Sequence, residues 1–200
     1  MQTGFTWLDK AVPSILWDAK YATSDNFTGA PVDGYGINRT AGTLELAEAL
    51  AHAVQRAERE GLKLLVWDAY RPQRAVNRFL AWCAAPEDGR TKQKHYPRID
   101  KTQIVPLGYV AERSGHSRGS AIDLTLARQN GSMLDMGGCF DLMDEISHHG
   151  APVPAEAARN RRLLKAIMEE SGFAPYANEW WHYSLVREPY PDTYFDFPLA

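Results

Sequence analysis

Apolar positions recur at helical spacing over residues 43–60, where Leu46, Leu50 and Val54 share one face. Thr43 stands at the start of this stretch and Gly61 follows its end, so the pattern predicts an amphipathic helix with a hydroxyl cap and a glycine stop. The apolar run 62–67 that follows lacks helical spacing and reads as a strand. Pro72, Val76, Phe79 and Leu80 predict a second helix from 72 to about 85, with proline in its first turn. Residues 86–112 read mostly as loop. Strict alternation over 121–126 predicts a strand with Ile122, Leu124 and Leu126 on one face and Ala121, Asp123 and Thr125 on the other. Two more helices are expected at 140–147 and 156–171, the second stopped by Gly172, and a further strand at 180–186. Residues 22–42 are crowded with turn formers and predict a long irregular segment lying against the body, a kind of loop that is often functional. The Pro-rich, aromatic tail from 187 to 200 is expected to wrap the surface.

Strands and helices are mixed without regular βαβ alternation, which predicts an α+β fold. We expect one domain over residues 1–200, with a mostly antiparallel central sheet flanked by helices. A chain of 200 residues with 44% hydrophobic residues, six Trp and nine Tyr can build a substantial core.

Charge narrows the function classes. The net charge is −3 and basic residues are dispersed, the densest group being Arg159, Arg161, Arg162 and Lys165 within a predicted helix. This is not the basic footprint of a nucleic-acid binder. No apolar run approaches the roughly 18 residues that would suggest a membrane span. The first 20 residues carry no secretory pattern, since Asp9 and Lys10 come early and Pro13 and Ser14 break the apolar stretch, so a cytoplasmic location is expected. Cys83 and Cys139 have no CxxC spacing and are expected to be reduced and buried.

The candidate chemistry lies in three segments. In SGHSRGSAIDLTL (114–126), an aspartate sits mid-strand among aliphatic residues, where Asp is disfavoured unless a cation, metal or water partners it. His116 precedes Asp123 by seven residues, roughly 23 Å if extended. The two can meet only if the chain turns, and Ser117-Arg118-Gly119-Ser120 supplies turn chemistry, with Gly119 free to take positive φ. The alternative is a surface histidine and an aspartate bonded to an arginine or amide. In NEWWHY (178–183), His182 lies in an aromatic strand. Glu179, three residues earlier, is expected in the incoming loop, because in a straight strand it would face away. The alternative is a core histidine and a surface glutamate. In VWDAYRP (66–72), Arg71 precedes a helix and could stabilise an oxyanion or simply pair with Asp68. Two histidines, one aspartate and a spare glutamate make the donor set of a catalytic zinc site with an open fourth position, while the helix-borne HExxH arrangement is absent. The adjacent His148 and His149 point about 100° apart on a helix and are read as ordinary helix-end residues.

SGHSRGSAIDLTL, EWWHY and DAYRPQRAV together strongly resemble the D-alanyl-D-alanine dipeptidases of the vancomycin-resistance type, within the zinc D,D-peptidases. WDAKYATSDNFTG, PVDGY, FDLMDEISHH and EPYPDTYFDFP extend the resemblance over almost the whole chain. It implies one zinc ion per chain on His116, Asp123 and His182, with Glu179 as general base and Arg71 stabilising the tetrahedral intermediate. It also implies a substrate pocket at Tyr21, Ser114 and Asp141, with Asp141 near the substrate ammonium and Ser114 near its carboxylate. The chain departs from the family pattern at Gly115 (Ser expected), at His95 (Tyr expected) and over 150–157. The implied partner is a small dipeptide, with no nucleic acid and no membrane, and a homodimer is left open. Hydrolysis of D-Ala-D-Ala serves glycopeptide antibiotic resistance or D-alanine catabolism. Two rival readings are a D,D-carboxypeptidase trimming cell-wall stems and a zinc-stabilised domain that has lost catalysis.

Overall fold

A computed structural model describes residues 1–200. The elements in chain order are β1 (Phe5–Trp7), α1 (Leu8–Ala11), β2 (Leu16–Trp17), β3 (Ala41–Thr43), α2 (Leu44–Arg59), β4 (Lys63–Asp68), α3 (Gln73–Ala84), α4 (Lys92–His95), α5 (Lys101–Ile104), β5 (Ala121–Ala127), α6 (Ala155–Glu170), β6 (Phe173–Tyr176) and β7 (Glu179–Leu185). Five strands form the central sheet in the order β2-β4-β5-β7-β6, while β1 and β3 make a separate antiparallel pair. Only β2 and β4 run parallel; the β4-β5, β5-β7 and β7-β6 pairings are antiparallel. The expected α+β fold with a mostly antiparallel sheet is what is found. No helix is long and apolar enough to cross a membrane.

The amphipathic pattern of α2 is realised as predicted. Leu46, Leu50, Val54 and Ala57 are buried, and the Thr43 hydroxyl accepts from the Leu46 amide at 3.1 Å. Such a cap contributes about 1 kcal/mol. α2 and α6 pack against each other, α2 against β4 and α6 against β5, β6 and β7. Strand β5 is buried along its whole length. Its alternation separates two kinds of covered surface, aliphatic on one side and polar on the other, rather than core from solvent.

Two expectations are corrected. Residues 140–147 do not form a helix; only a short 3-10 turn, Glu145–Ser147, is present. Asp141 adopts a left-handed φ of 57°, which no right-handed helix accommodates. The Met143 amide is also drawn away, donating to the His95 carbonyl at 2.7 Å. Residues 86–112 are mostly loop as expected, with two one-turn helices, α4 and α5, within them. Cys139 is exposed, and only Cys83 is buried; both are free.

The irregular segment 22–42 packs inward through Phe27, Val32 and Tyr35. The C-terminal tail does more than wrap. Phe195 and Phe197 pack edge-on against Phe5, and Phe197 stacks on Tyr70 at 4.1 Å. The Phe195 amide donates to Ser117 O at 2.8 Å, and Phe195 O accepts from the Gln73 amide at 3.0 Å.

Candidate active site

The segment between His116 and Asp123 turns as the sequence requires. Residues Gly115–Arg118 form a 3-10 turn ended by Gly119 at φ 72°. A Cβ at Gly119 would lie 2.3 Å from the Phe5 ring, so both conformation and space demand glycine. The Ser114 hydroxyl caps this turn by accepting from the His116 amide at 3.2 Å. His116 Nδ1 donates to the Ala69 carbonyl at 2.6 Å, which leaves Nε2 as the bare nitrogen. The Arg71 amide in turn donates to His116 O at 3.2 Å. The turn bearing His116 and the end of β4 are therefore locked together by side chain and backbone.

Asp123 and His182 are register partners across β5 and β7. His182 Nδ1 lies 3.0 Å from Asp123 Oδ1, His116 Nε2 lies 3.2 Å from Asp123 Oδ2, and the two imidazole nitrogens are 3.1 Å apart. An ion bonded tetrahedrally at about 2.0–2.1 Å keeps its ligand atoms roughly 3.3 Å apart. The two imidazole nitrogens approach that spacing, one carboxylate oxygen of Asp123 faces each of them, and one ligand atom from each of the three residues lies within 4.8 Å of the others, so the three could hold a single metal ion.

Glu179 is the first residue of β7, not part of a loop, which corrects the expectation. The register of β6 and β7 slips between Pro175 and Tyr176, so that Tyr176 pairs with Glu179 where regular pairing would give it His182. Such irregularities re-aim side chains. This one brings Glu179 Oε2 to 3.9 Å from His182 Nδ1.

Arg71 pairs with Asp68, the second of its two sequence readings, and also reaches toward Asp123. Its Nε donates to Asp68 at 2.9 Å, and its Nη2 lies 3.4 Å from Asp123 Oδ2. The guanidinium also sits 5.0 Å over the Tyr21 ring and 5.1 Å over Phe79. Asp68 is itself fixed by the Tyr35 hydroxyl at 2.7 Å. Asp68 was visible in the sequence only as a rival explanation of Arg71, and nothing in the pattern around Tyr35 announced it.

Tyr21 donates to the Asp141 carboxylate, with its oxygen 3.0 Å and 3.1 Å from the two carboxylate oxygens. The segment carrying Asp141 is tethered by buried Arg161, which donates to Met136 O at 2.6 Å and Ile146 O at 2.8 Å. His148 meets the Tyr109 hydroxyl at 3.1 Å, and neither it nor His149 joins the donor cluster.

Tyr21, Arg71, Ser114, His116, Asp123, Asp141, Glu179 and His182 all line one cavity of about 210 Å³, closed further by Phe27, Phe79, Tyr109, Met143, Tyr176 and Trp181. All eight residues named from the sequence thus converge. Its electrostatics are uneven. For Asp123, burial would raise the carboxyl, but charge and hydrogen bonding from His116 and His182 hold it well below the usual range. Burial lowers His182 despite Asp123, favouring the neutral ligating form. Burial, with the charges of Asp123 and Asp141, pushes Glu179 well above an ordinary glutamate. Burial and the Asp123 charge push Asp141 up to about 8. Two carboxylates with raised proton affinity beside one that stays ionised are a common mark of acid–base sites.

An α+β scaffold presenting a buried imidazole–carboxylate cluster beside a basic glutamate is the architecture of a metallopeptidase. The whole chain, residues 1–200, matches the peptidase family described as D-ala-D-ala dipeptidase, and it belongs to that family. D-alanyl-D-alanine dipeptidases of Enterococcus faecium and Streptomyces coelicolor are 57% and 58% identical to it, over the full length of both chains. The Escherichia coli D-alanyl-D-alanine dipeptidase is 41% identical over 88% of this chain and 81% of its own. Among solved structures, a vancomycin-resistance D,D-pentapeptidase in complex with Zn(II) is similar over 75% of both chains, with a TM-score of 0.47 and 19% identity.

Proposed function

We propose that this chain hydrolyses D-alanyl-D-alanine to two molecules of D-alanine, with one zinc ion held by His116, Asp123 and His182. The observation that carries the reading is the convergence of two imidazole nitrogens 3.1 Å apart, each 3.0–3.2 Å from one oxygen of the Asp123 carboxylate, in the same cavity as Glu179 and Arg71. Bound zinc supplies Lewis acidity, polarising a carbonyl and lowering the pKa of water to about 7.

The remaining chemistry belongs to the protein. Glu179, with its raised proton affinity, takes the proton from the attacking water and passes it to the departing amine. The Arg71 guanidinium, preorganised by Asp68 and the Tyr21 and Phe79 rings, faces the negative charge that develops on the carbonyl oxygen. Asp141 receives the substrate ammonium, whose charge favours the ionised carboxylate. Tyr21 stays a neutral donor and holds that carboxylate in place. The Ser114 hydroxyl accepts from an amide while its own proton remains available to the substrate carboxylate.

A cavity of about 210 Å³ lies below the roughly 300–1,000 Å³ of sites for drug-sized ligands, which supports a dipeptide rather than a longer stem. The names of the relatives support the same substrate. The test is hydrolysis of D-Ala-D-Ala with and without a chelator, followed by zinc add-back, beside a stem pentapeptide. Cleavage of the pentapeptide in preference to the dipeptide would instead indicate a D,D-carboxypeptidase. Zinc binding without hydrolysis of any D,D-dipeptide would indicate a silent domain.

A further inference from the structure

Asp141 is the one non-glycine residue with positive φ, at 57°. Its side chain bonds only to Tyr21, so the backbone around it has to be held from elsewhere. That hold comes from α4. His95 Nδ1 lies 3.1 Å from the Asp141 carbonyl oxygen, and the His95 carbonyl accepts from the Met143 amide at 2.7 Å. One residue therefore grips the turn on both sides of its left-handed bend. Since a carbonyl can only accept, the His95 ring must carry its proton on Nδ1. Burial pushes that ring down to about 4, so it is neutral and singly protonated near pH 7.

The grip is anchored at its other end. Thr91 immediately precedes α4, its hydroxyl donates to Phe27 O at 2.6 Å, and Phe27 packs edge-on against Tyr21. Both partners of the Tyr21–Asp141 hydrogen bond are thereby referred to the same short helix. His95 itself lies outside the active-site cavity and touches nothing that reacts.

We infer that His95 is a positioning residue for the substrate-ammonium site: its ring N–H and carbonyl clamp the 141–143 turn and so set where the Asp141 carboxylate stands. This rests on the proposed role of Asp141 as receptor of the dipeptide's ammonium. A positioning role predicts a change in substrate affinity that depends on Asp141, not a general loss of activity.

The experiment is steady-state kinetics with D-Ala-D-Ala on zinc-loaded H95L, H95N, H95Q, D141N and the double variant H95L/D141N. H95L removes the donor and should raise KM about tenfold while kcat changes less than about threefold. Asn places an amide N–H near the Nδ1 position and should restore KM to within about threefold of wild type. Gln, whose amide falls nearer the Nε2 position, should not. In the D141N background, H95L should add almost nothing, because the two act through one carboxylate. The inference is overturned if H95L leaves KM unchanged while D141N raises it, or if H95L raises KM equally in both backgrounds. An unchanged KM in D141N would instead remove the ammonium role of Asp141. Should H95L not fold, the contrast between H95N and H95Q decides alone: equal KM values for the two overturn the clamp.

Discussion

Asp123 and His182 stand directly opposite each other where β5 pairs with β7, and their side chains meet at 3.0 Å. Two of the three proposed ligands are thus fixed by the sheet itself, whose backbone hydrogen bonds hold them without side-chain help. Only His116 depends on a turn, and that turn is locked to the end of β4 through Ala69 and Arg71.

Metal removal should abolish hydrolysis, and zinc should restore it. Metal analysis is expected to give about one zinc per chain in wild type and markedly less after Asp123→Ala, since that carboxylate approaches both histidines. Zinc should also raise the melting temperature, because a ligand at 100 times its dissociation constant stabilises by about 2.7 kcal/mol.

Replacing Glu179 with Ala should lower kcat by roughly 10²–10⁴, the usual worth of a general base. Zinc content should be unchanged, as Glu179 is not among the three clustered donors. Near-wild-type turnover would exclude Glu179 as the base.

Arg71→Lys is not a conservative change here. A lysine cannot donate to Asp68 and approach Asp123 at once. Loss of the guanidinium should reduce kcat by roughly 10²–10³, in line with removal of one preorganised oxyanion donor. Retained kcat with an intact zinc content would place the transition-state charge elsewhere.

Asp141 gives a pH signature. Its carboxyl is raised to about 8 when folded and titrates near the ordinary aspartate value when unfolded. The folded state therefore holds the proton more tightly, so stability is fully present below about pH 4 and falls as pH rises toward about 8. In metal-free, substrate-free protein, Asp141→Asn should flatten this decline and be the more stable form at pH 8. Urea denaturation at several pH values measures it, and parallel pH profiles for the two proteins would contradict the shift.

Gly119→Ala should destabilise by about 2 kcal/mol or more, combining left-handed strain with a clash. The added Cβ meets Phe5 at 2.3 Å. Because the same turn carries His116, zinc affinity should fall alongside the denaturation midpoint.

Most of the site is legible in the sequence. Local chemistry marked the decisive residues: an aspartate mid-strand, a glycine-bearing turn after His116, an arginine before a proline. What remained hidden was non-local. The irregular register that aims Glu179 inward arises from β6, which carries none of the residues named from the sequence. The refusal of 140–147 to form a helix is set by His95, Tyr21 and Arg161, which lie far away in sequence. Helical spacing in 140–147 was genuine apolar content, with Phe140 and Met143 buried, but tertiary bonds overrode the propensity. Tyr35 and Asp68 were invisible as a pair because 33 residues separate them.

The tail also has a temporal consequence. Every proposed ligand has been synthesised once residue 182 is made, yet Phe195 is what joins the 3-10 turn of His116 to the first residue of α3. During translation, a nascent chain would own its metal-binding atoms before owning the strap that ties the His116 turn to α3, so that turn would gain this second restraint only once residue 195 is made. Replacing Phe195 should therefore loosen a centre to which it donates no atom.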